Sequence, residues 1–195
     1  MSVRRARAAL PAALLALLGA CTSPNPNLYT IAPVPGPVQH GTPKTVLVRD
    51  VVLARYLDRT HIVRSSEDYR LAVEQNDWWG EPLPAMVGRV LVQELGQRLP
   101  GAVVYGSASP VGLAPAATVD LSLDRLDEDA AGHVLVQGLA GVTFAGSKVP
   151  LAKPFRFAVV PPAPDTAGEV AAISTGIGEL ADELAAALAA GPSRR

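Results

Sequence analysis

The sequence predicts an α+β fold, in which two amphipathic helices pack on a single, mostly antiparallel sheet, preceded by a signal peptide and a Pro-rich tether. Three observations predict it. Residues 118–160 contain alternating apolar and polar side chains, which is typical of the half-exposed strands of a meander. The stretches 83–99 and 170–188 repeat apolar residues at helical spacing. An apolar segment and a run of prolines precede all of these elements.

The composition fits one domain with tails. The chain has 195 residues, of which 49% are apolar, so a substantial core can form. Its formal charge of −1 provides no basic surface of the kind that binds nucleic acid, and no nucleic-acid partner is expected. It contains a single cysteine, which excludes an internal disulfide.

Residues 1–20 have the pattern of a bacterial lipoprotein signal peptide. Three arginines precede an apolar stretch of residues 8–18, which is shorter than the roughly 20 residues of a membrane-spanning helix. Leu18-Gly19-Ala20-Cys21 matches a lipobox, in which the cysteine thiol takes a diacylglycerol and becomes the first residue after cleavage. We therefore expect lipidation at Cys21, with palmitate among the acyl chains, rather than an ordinary cleaved signal.

Residues 21–43 are predicted to be a lipidated tether. Multiple acyl chains anchor a protein stably, and the residue after the cysteine is Thr22 rather than the Asp that favours retention at the inner membrane. Six prolines follow between residues 24 and 43, and these prevent a continuous helix. At about 3.1 Å per residue, an extended tether of this length would reach about 70 Å. Within it, residues 28–31 are predicted to pack as an edge strand.

The domain itself is predicted over residues 44–190, with a short tail at 191–195. Its first half should contain strands near 45–54, 61–64, 69–73 and 102–105. Glu81-Pro82 opens the first helix, and Pro100-Gly101 ends it.

The second half is predicted to be the meander and the last helix. A turn at residues 127–132 separates the first two strands, and Gly138 and Gly141 mark bulges or close contacts in the second strand. Thr166 and Glu169 have the spacing of a capping box at the start of the last helix.

The chain shows little sign of catalytic chemistry. Its three histidines lack the spacing of a zinc site, and phosphate-binding and nucleophile-elbow motifs are missing, so neither a metal nor a cofactor is expected. The acidic stretch 127–132 lacks the acceptor positions of a calcium loop and is better explained as a solvated turn. Ser107 and Ser109 are interpreted as loop residues, which leaves a cryptic hydrolase only as a minor alternative.

Two short motifs stand out as candidates for contact with a partner. The first is Tyr56-Leu57-Asp58-Arg59, which is either a loop with a surface ion pair or a partner-facing motif. The second, Trp79 to Leu83, adjoins a helix start and includes Glu81 and Pro82. Its tryptophan, together with Trp78, either fixes the entry of the helix or contacts a partner, and the two residues can divide these roles.

These motifs resemble those of the PqiC/YmbA family of ABC-type transport auxiliary lipoproteins. The family pattern runs Y-L-D-R-x-x-I-V, then W-A-E-P-L, then a helix. Here Ile62-Val63 follows the first motif, and Gly80 replaces the usual alanine of the second. The likeness extends over about Tyr29 to Leu188.

The resemblance implies a non-enzymatic, periplasm-facing lipoprotein of the outer membrane. It implies a mammalian-cell-entry (MCE) partner similar to PqiB, or an ABC-type lipid transporter, in a system that moves lipid between membranes and supports envelope integrity. It also implies that several copies can assemble as a ring. The binding candidates are then Tyr56, Leu57, Asp58, Arg59, Trp79, Glu81, Pro82 and Leu83. The alternative is a structural envelope lipoprotein that binds the cell wall or another envelope protein without a transport role.

Overall fold

The computed structural model describes residues 25–41, 43–110, 112–147 and 150–192. The strands in these residues are β1 (Asn27–Tyr29), β2 (Thr45–Val48), β3 (Val52–Leu53), β4 (His61–Ser65), β5 (Ala72–Trp79), β6 (Val103–Gly106), β7 (Ala117–Glu128), β8 (Val134–Phe144) and β9 (Leu151–Val159). The helices are α1 (Leu83–Arg98) and α2 (Thr166–Ala190). The predicted signal peptide, Cys21 and the end of the predicted tail lie outside the described residues.

The strands form one mixed sheet centred on β7. On one side, β7, β8 and β9 pair antiparallel as the predicted meander. On its other side, β7 pairs in parallel with β2, β3 and β4 at successive points along its length. The strand β5 pairs antiparallel with β4, while β1 runs parallel to β5 and β6 runs parallel to β2. The predicted α+β fold with a mostly antiparallel sheet is confirmed. The short parallel strand pairs were not predicted from the sequence.

A bulge in β7 explains why one of the two predicted glycines is needed. The register between β7 and β8 shifts between Leu123 and Arg125. A Cβ atom at Gly138 would overlap the Ser122 carbonyl oxygen, so the strands approach too closely there for any side chain. Gly141 has only ordinary contacts around its Cβ position, so the prediction holds for Gly138 alone. Beyond the bulge, Asp127 becomes fully buried.

Both helices bury an apolar stripe in the same core. In α1 that stripe is Leu83, Met86, Val87, Val90, Leu91 and Leu95. The start of α2 differs from the predicted capping box by one residue, because Asp165 is the N-cap and its side chain accepts a 2.8 Å hydrogen bond from the Gly168 N–H. The hydroxyl of Thr166 instead donates to Asp77, and Glu169 is fully buried.

The segment predicted as a tether is, over residues 27–40, part of the domain. Ile31 is 1% exposed and its backbone N–H faces the Met86 sulfur, while the Ala32 N–H donates to the Ser174 hydroxyl of α2. Prolines keep the segment extended, but it lies against α1 and α2 instead of leading away from them. Contacts with the two helices therefore begin well before residue 44, where the sequence predicted that the domain starts, and they include Ile31, Ala32 and Val34.

A buried arginine fastens this segment to both helices. Arg98 of α1 is 1% exposed, forms an ion pair with Asp182 of α2, and donates to the carbonyl oxygens of Val34 and Gly178. Glu94, one turn earlier, accepts a 2.7 Å hydrogen bond from the Val34 N–H. Burial raises the pKa of Glu94 to about 7, although this hydrogen bond and Arg98 oppose the shift.

Candidate functional site

The two sequence motifs meet at one cleft on the surface. The cleft has a volume of about 380 Å³. Its lining consists of Asp58, Arg59, Thr60, Trp79, Glu81, Pro82 and Leu83. Six of these seven residues belong to the predicted binding candidates, although about 20 residues separate the two motifs in the sequence. Thr60 is the residue that sequence reasoning missed, and it follows the first motif directly.

Pairing between β4 and β5 produces this juxtaposition. The loop that carries Asp58 and Arg59 leads into β4, and the second motif begins at the last residue of β5. The Trp79 N–H donates a 2.8 Å hydrogen bond to the Thr60 carbonyl oxygen, and the Gly80 N–H donates to the Tyr29 carbonyl oxygen. The chain then turns at Pro82 into α1, so the cleft lies where a strand, a loop and a helix start meet.

The two tryptophans lie on opposite faces of β5, as successive positions of a strand do. Trp79 is 6% exposed and Leu83 is 2% exposed, and both belong to the core beneath the cleft. Trp78 points to the other face of β5, where it is half-buried and packs edge-on against His61 at 5.2 Å between ring centroids. The wall that Trp79 and Leu83 provide is rigid, since both side chains are held by the core.

Two of the predicted binding candidates do not line the cleft. Leu57 is 2% exposed and packs into the core. The Tyr56 hydroxyl donates to the Asp124 carbonyl oxygen at 3.1 Å, which ties the loop to β7. Burial raises the pKa of Tyr56 to about 12, with the nearby Asp127 carboxylate contributing, so this hydroxyl stays protonated as a donor. The first half of the motif therefore positions the second half.

The rim of the cleft carries charges of both signs. Asp58 and Arg59 are exposed, and the Arg59 Nε donates a 2.7 Å hydrogen bond to the Tyr56 carbonyl oxygen. Glu81 forms an ion pair with Arg89 of α1, whose guanidinium also reaches the Thr30 hydroxyl. An apolar floor beneath a charged rim is the arrangement that protein-docking sites use.

A larger apolar groove adjoins the cleft and shares Pro82 with it. The groove has a volume of about 610 Å³ and lies between α1 and the ends of β2 and β6. Its apolar lining residues include Val48, Val51, Pro84, Ala85, Val92 and Ala108. Sequence reasoning missed it, because the groove forms between segments whose proximity only the parallel pairing of β2 and β6 establishes.

The groove also contains the two serines considered as nucleophiles. Ser107 and Ser109 line one side, together with Arg49, Asp50 and Arg89. No histidine is among its described lining residues, so the groove offers no serine–histidine pair. Within the described parts of the chain, no group of three or more histidine, cysteine or acidic residues could hold a metal ion.

A second buried charge cluster lies at the end of β7. Arg64 forms an ion pair with Glu128 at 3.1 Å and lies 3.8 Å from Glu169, and Arg125 pairs with Asp127. In the predicted solvated turn, residues 130–132 are exposed and Asp129 accepts hydrogen bonds from the Ala131 and His133 N–H groups, whereas Asp127 is buried. Burial raises the pKa of Glu169 to about 8; Arg64 opposes the shift, and neighbouring acids add to it.

None of the described helices is both long enough and apolar enough to span a membrane.

Comparison with known proteins gives a consistent picture. A model of the family described as "ABC-type transport auxiliary lipoprotein component" matches residues 29–185. The chain is 29% identical over 148 residues to the intermembrane transport lipoprotein PqiC of Escherichia coli strain K12, covering 71% of this chain and 74% of that protein. The same values hold for PqiC of Shigella flexneri. The match begins at Tyr29, which agrees with the packing of the following segment on the helices.

Two crystal structures share the fold. One, of an uncharacterized protein, superposes with a TM-score of 0.70 at 20% identity and covers 84% of this chain and 99% of its own. The other, of a Xanthomonas campestris protein, gives a TM-score of 0.69 at 19% identity, with 86% and 97% covered. At this level of identity the likeness concerns the fold alone.

Proposed function

This chain belongs to the family of ABC-type transport auxiliary lipoprotein components, and we propose that it is the outer-membrane subunit of a system that moves lipid between membranes. In this proposal Cys21 carries the lipid anchor, and the domain faces the periplasm. The chain binds an MCE-domain protein, similar to PqiB, or an ABC-type lipid transporter. Its role is to dock that assembly at the outer membrane, and it catalyses no reaction.

The observation that carries the docking proposal is the convergence of the two motifs on one cleft. Trp79 and Leu83 give the cleft a rigid apolar floor, and Asp58 and Arg59 are exposed above it. A charged rim steers a partner and fixes its register, while a buried aromatic anchor supplies affinity. The chain's membership of a family of auxiliary lipoproteins makes a protein partner the natural occupant.

Charge reversal at the rim tests this docking site. Arg59→Glu should reduce capture of the cognate MCE-domain protein by tenfold or more, because an exposed guanidinium on the rim becomes a carboxylate. Arg55→Glu is the matched control, since Arg55 is also exposed in the same loop but does not line the cleft. Equal capture by both variants and the unaltered chain would place the docking surface elsewhere.

The second candidate function is a structural envelope lipoprotein without a transport role. The same cleft is compatible with this function, because its apolar floor and charged rim could also dock another envelope protein. It predicts co-sedimentation with cell wall and no capture of an MCE-domain protein or transporter. Cell-wall sedimentation of the unaltered chain, measured beside the capture experiment, separates the two functions.

A further inference from the structure

We propose that the tip of the β4–β5 hairpin, residues 66–71, contacts the bilayer in which the Cys21 lipid is anchored. We call residues 66–71 the hairpin tip. The proposal rests on the lipid anchor proposed above. It adds a membrane-contacting surface and fixes which end of the domain faces the membrane.

The backbone of the hairpin tip is strained at an aromatic residue. Asp68 and Tyr69 have φ angles of 54° and 60°, in the left-handed region, and the Arg70 N–H donates a 3.1 Å hydrogen bond to the Glu67 carbonyl oxygen. Two left-handed residues closed by such a bond form a tight hairpin turn that strongly favours Asn-Gly. A bulky tyrosine is unfavourable in that conformation. Its presence therefore suggests that the side chain makes a favourable contact that offsets the cost in the backbone.

The rest of the domain does not provide such a contact for Tyr69. Tyr69 is 108% exposed, so its ring is fully in solvent, and Leu71 is 45% exposed beside it. A tyrosine, an arginine and a leucine at a protruding tip are suited to the headgroup region, where amphipathic rings sit at the boundary between water and lipid. The charges of Asp68 and Arg70 cancel, and Glu67 is paired with Arg125, so contact depends on the apolar side chains more than on salt.

The chain's own course brings the anchor to this end of the domain. The strand β1 runs parallel to β5 and away from the hairpin tip, and the Asn76 amide donates to the Asn25 carbonyl oxygen. Cys21 lies four residues before Asn25, so it lies at most about 14 Å from it. From Gln75, level with Asn25, back to Leu71 is also four residues of strand, or about 13 Å. A lipid on Cys21 therefore holds the bilayer within reach of the tip.

Other features of the sheet agree with this orientation. Val160 is exposed and follows β9 at the same end, because Val159 pairs with Val134 next to the β7–β8 turn. The docking cleft lies at the opposite end of β5, seven residues or about 23 Å from Ala72 to Trp79. The membrane and the protein partner would then occupy opposite ends of the domain.

A tryptophan placed at the tip can test the contact. The chain from Cys21 onward is coupled through its only thiol to a maleimide lipid in phosphatidylethanolamine–phosphatidylglycerol vesicles, so the geometry does not depend on natural acylation. In Tyr69→Trp, the emission added to that of Trp78 and Trp79 should fall at least twofold when the vesicles also contain brominated phosphatidylcholine. Ala145→Trp, on the exposed turn at the far end of the β7–β8 ladder, should show no quenching.

The opposite result is equally clear. If brominated lipid leaves the Tyr69→Trp emission unchanged while aqueous iodide quenches it as in the uncoupled chain, the tip faces water or a protein and the proposal is wrong. Mass spectrometry of Cys21 from cells tests the anchor separately, so failure of the anchor and failure of the tip are distinguishable.

The stability of Tyr69→Gly provides a second check. Glycine tolerates the left-handed backbone, so the melting temperature should stay the same or rise if the tyrosine serves an external contact. A lower melting temperature would show that the ring stabilises the domain and would remove the reason to look outside it.

Discussion

Gly36 shows at the scale of one residue how the N-terminal segment is fastened. A Cβ atom there would overlap the Arg98 guanidinium and the Asp182 carboxylate, so the backbone lies directly on this ion pair. Gly36→Ala should lower the free energy of unfolding by about 1–3 kcal/mol, because the added methyl group overpacks the site and displaces the buried Arg98 guanidinium from its partners. Urea denaturation measures the change.

Gly96→Ala is the matched control for that substitution. Gly96 lies in the exposed part of α1, and nothing approaches its Cβ position within 4 Å. Alanine there should raise the free energy of unfolding by about 0.5–1 kcal/mol through helix propensity. If both substitutions stabilise the chain, the ion pair does not hold the segment in place.

The buried Glu169 should make the folded chain less stable as the pH rises, which is the opposite of what an ion-paired carboxylate does. Its pKa is about 8 in the folded chain and 4.5 in an unfolded one, so the folded state holds the extra proton between these values. Its contribution is complete below about pH 4.5 and is lost as the pH rises through 8. Glu169→Gln removes the ionisation, so its melting temperature relative to the unaltered chain should rise from pH 5 to pH 8.5.

The comparison between the two chains isolates this residue from the other titrating groups. Glu179→Gln, at an exposed position on the same helix, is the control and should show no such trend. A constant difference between Glu169→Gln and the unaltered chain across the pH range would mean that Glu169 is ionised throughout.

At the scale of elements, the segment before β2 is the part whose role differs most from expectation. Ile31 is 1% exposed among core residues, whereas Val38 in the same segment is 51% exposed. Ile31→Ala should cost about 2–4 kcal/mol of unfolding free energy by creating a cavity, while Val38→Ala should change it by less than about 0.5 kcal/mol. Equal, small effects would mean that the segment is a tether after all.

The predictable part of the fold follows from local periodicity. Alternation along β7 and helical spacing in α1 and α2 each predict an element without reference to any other. Local sequence patterns do not show where residues 27–40 pack. Prolines specify an extended chain, but they do not specify the surface against which that chain lies. One signal was available: Glu94 and Arg98 fall on the apolar stripe of α1, where charges require buried partners.

The candidate site was also only partly predictable from the sequence. The two motifs are visible in the sequence, but their meeting depends on the pairing of β4 with β5, which periodicity does not determine. The motifs also combine residues of different kinds, since Tyr56 and Leu57 hold the loop while Asp58 and Arg59 face solvent. The adjoining groove could not be predicted from the sequence, because its walls come from α1, β2 and β6, which are distant from one another along the chain.

At the scale of the whole molecule, the proposals assign one end to the membrane and the other to a partner. In this proposed arrangement few residues separate Cys21 from the packed segment, so the domain would lie close to the bilayer rather than about 70 Å away. Cys21→Ser should release the chain from the membrane fraction without changing its melting temperature, because the buried core residues that the structure describes begin at Ile31. Fractionation of cells checks this, and a serine variant that stays in the outer membrane would contradict it.

The central claim is that the cleft docks an MCE-domain protein or lipid transporter, and photocrosslinking in living cells tests it most directly. A benzophenone amino acid replaces Asp58 at the cleft or, as the control, Leu113 on an exposed loop outside the cleft. The account predicts a crosslink from position 58 to that partner, which Arg59→Glu abolishes, and none from position 113. Crosslinks from both positions, or only from position 113, would contradict it.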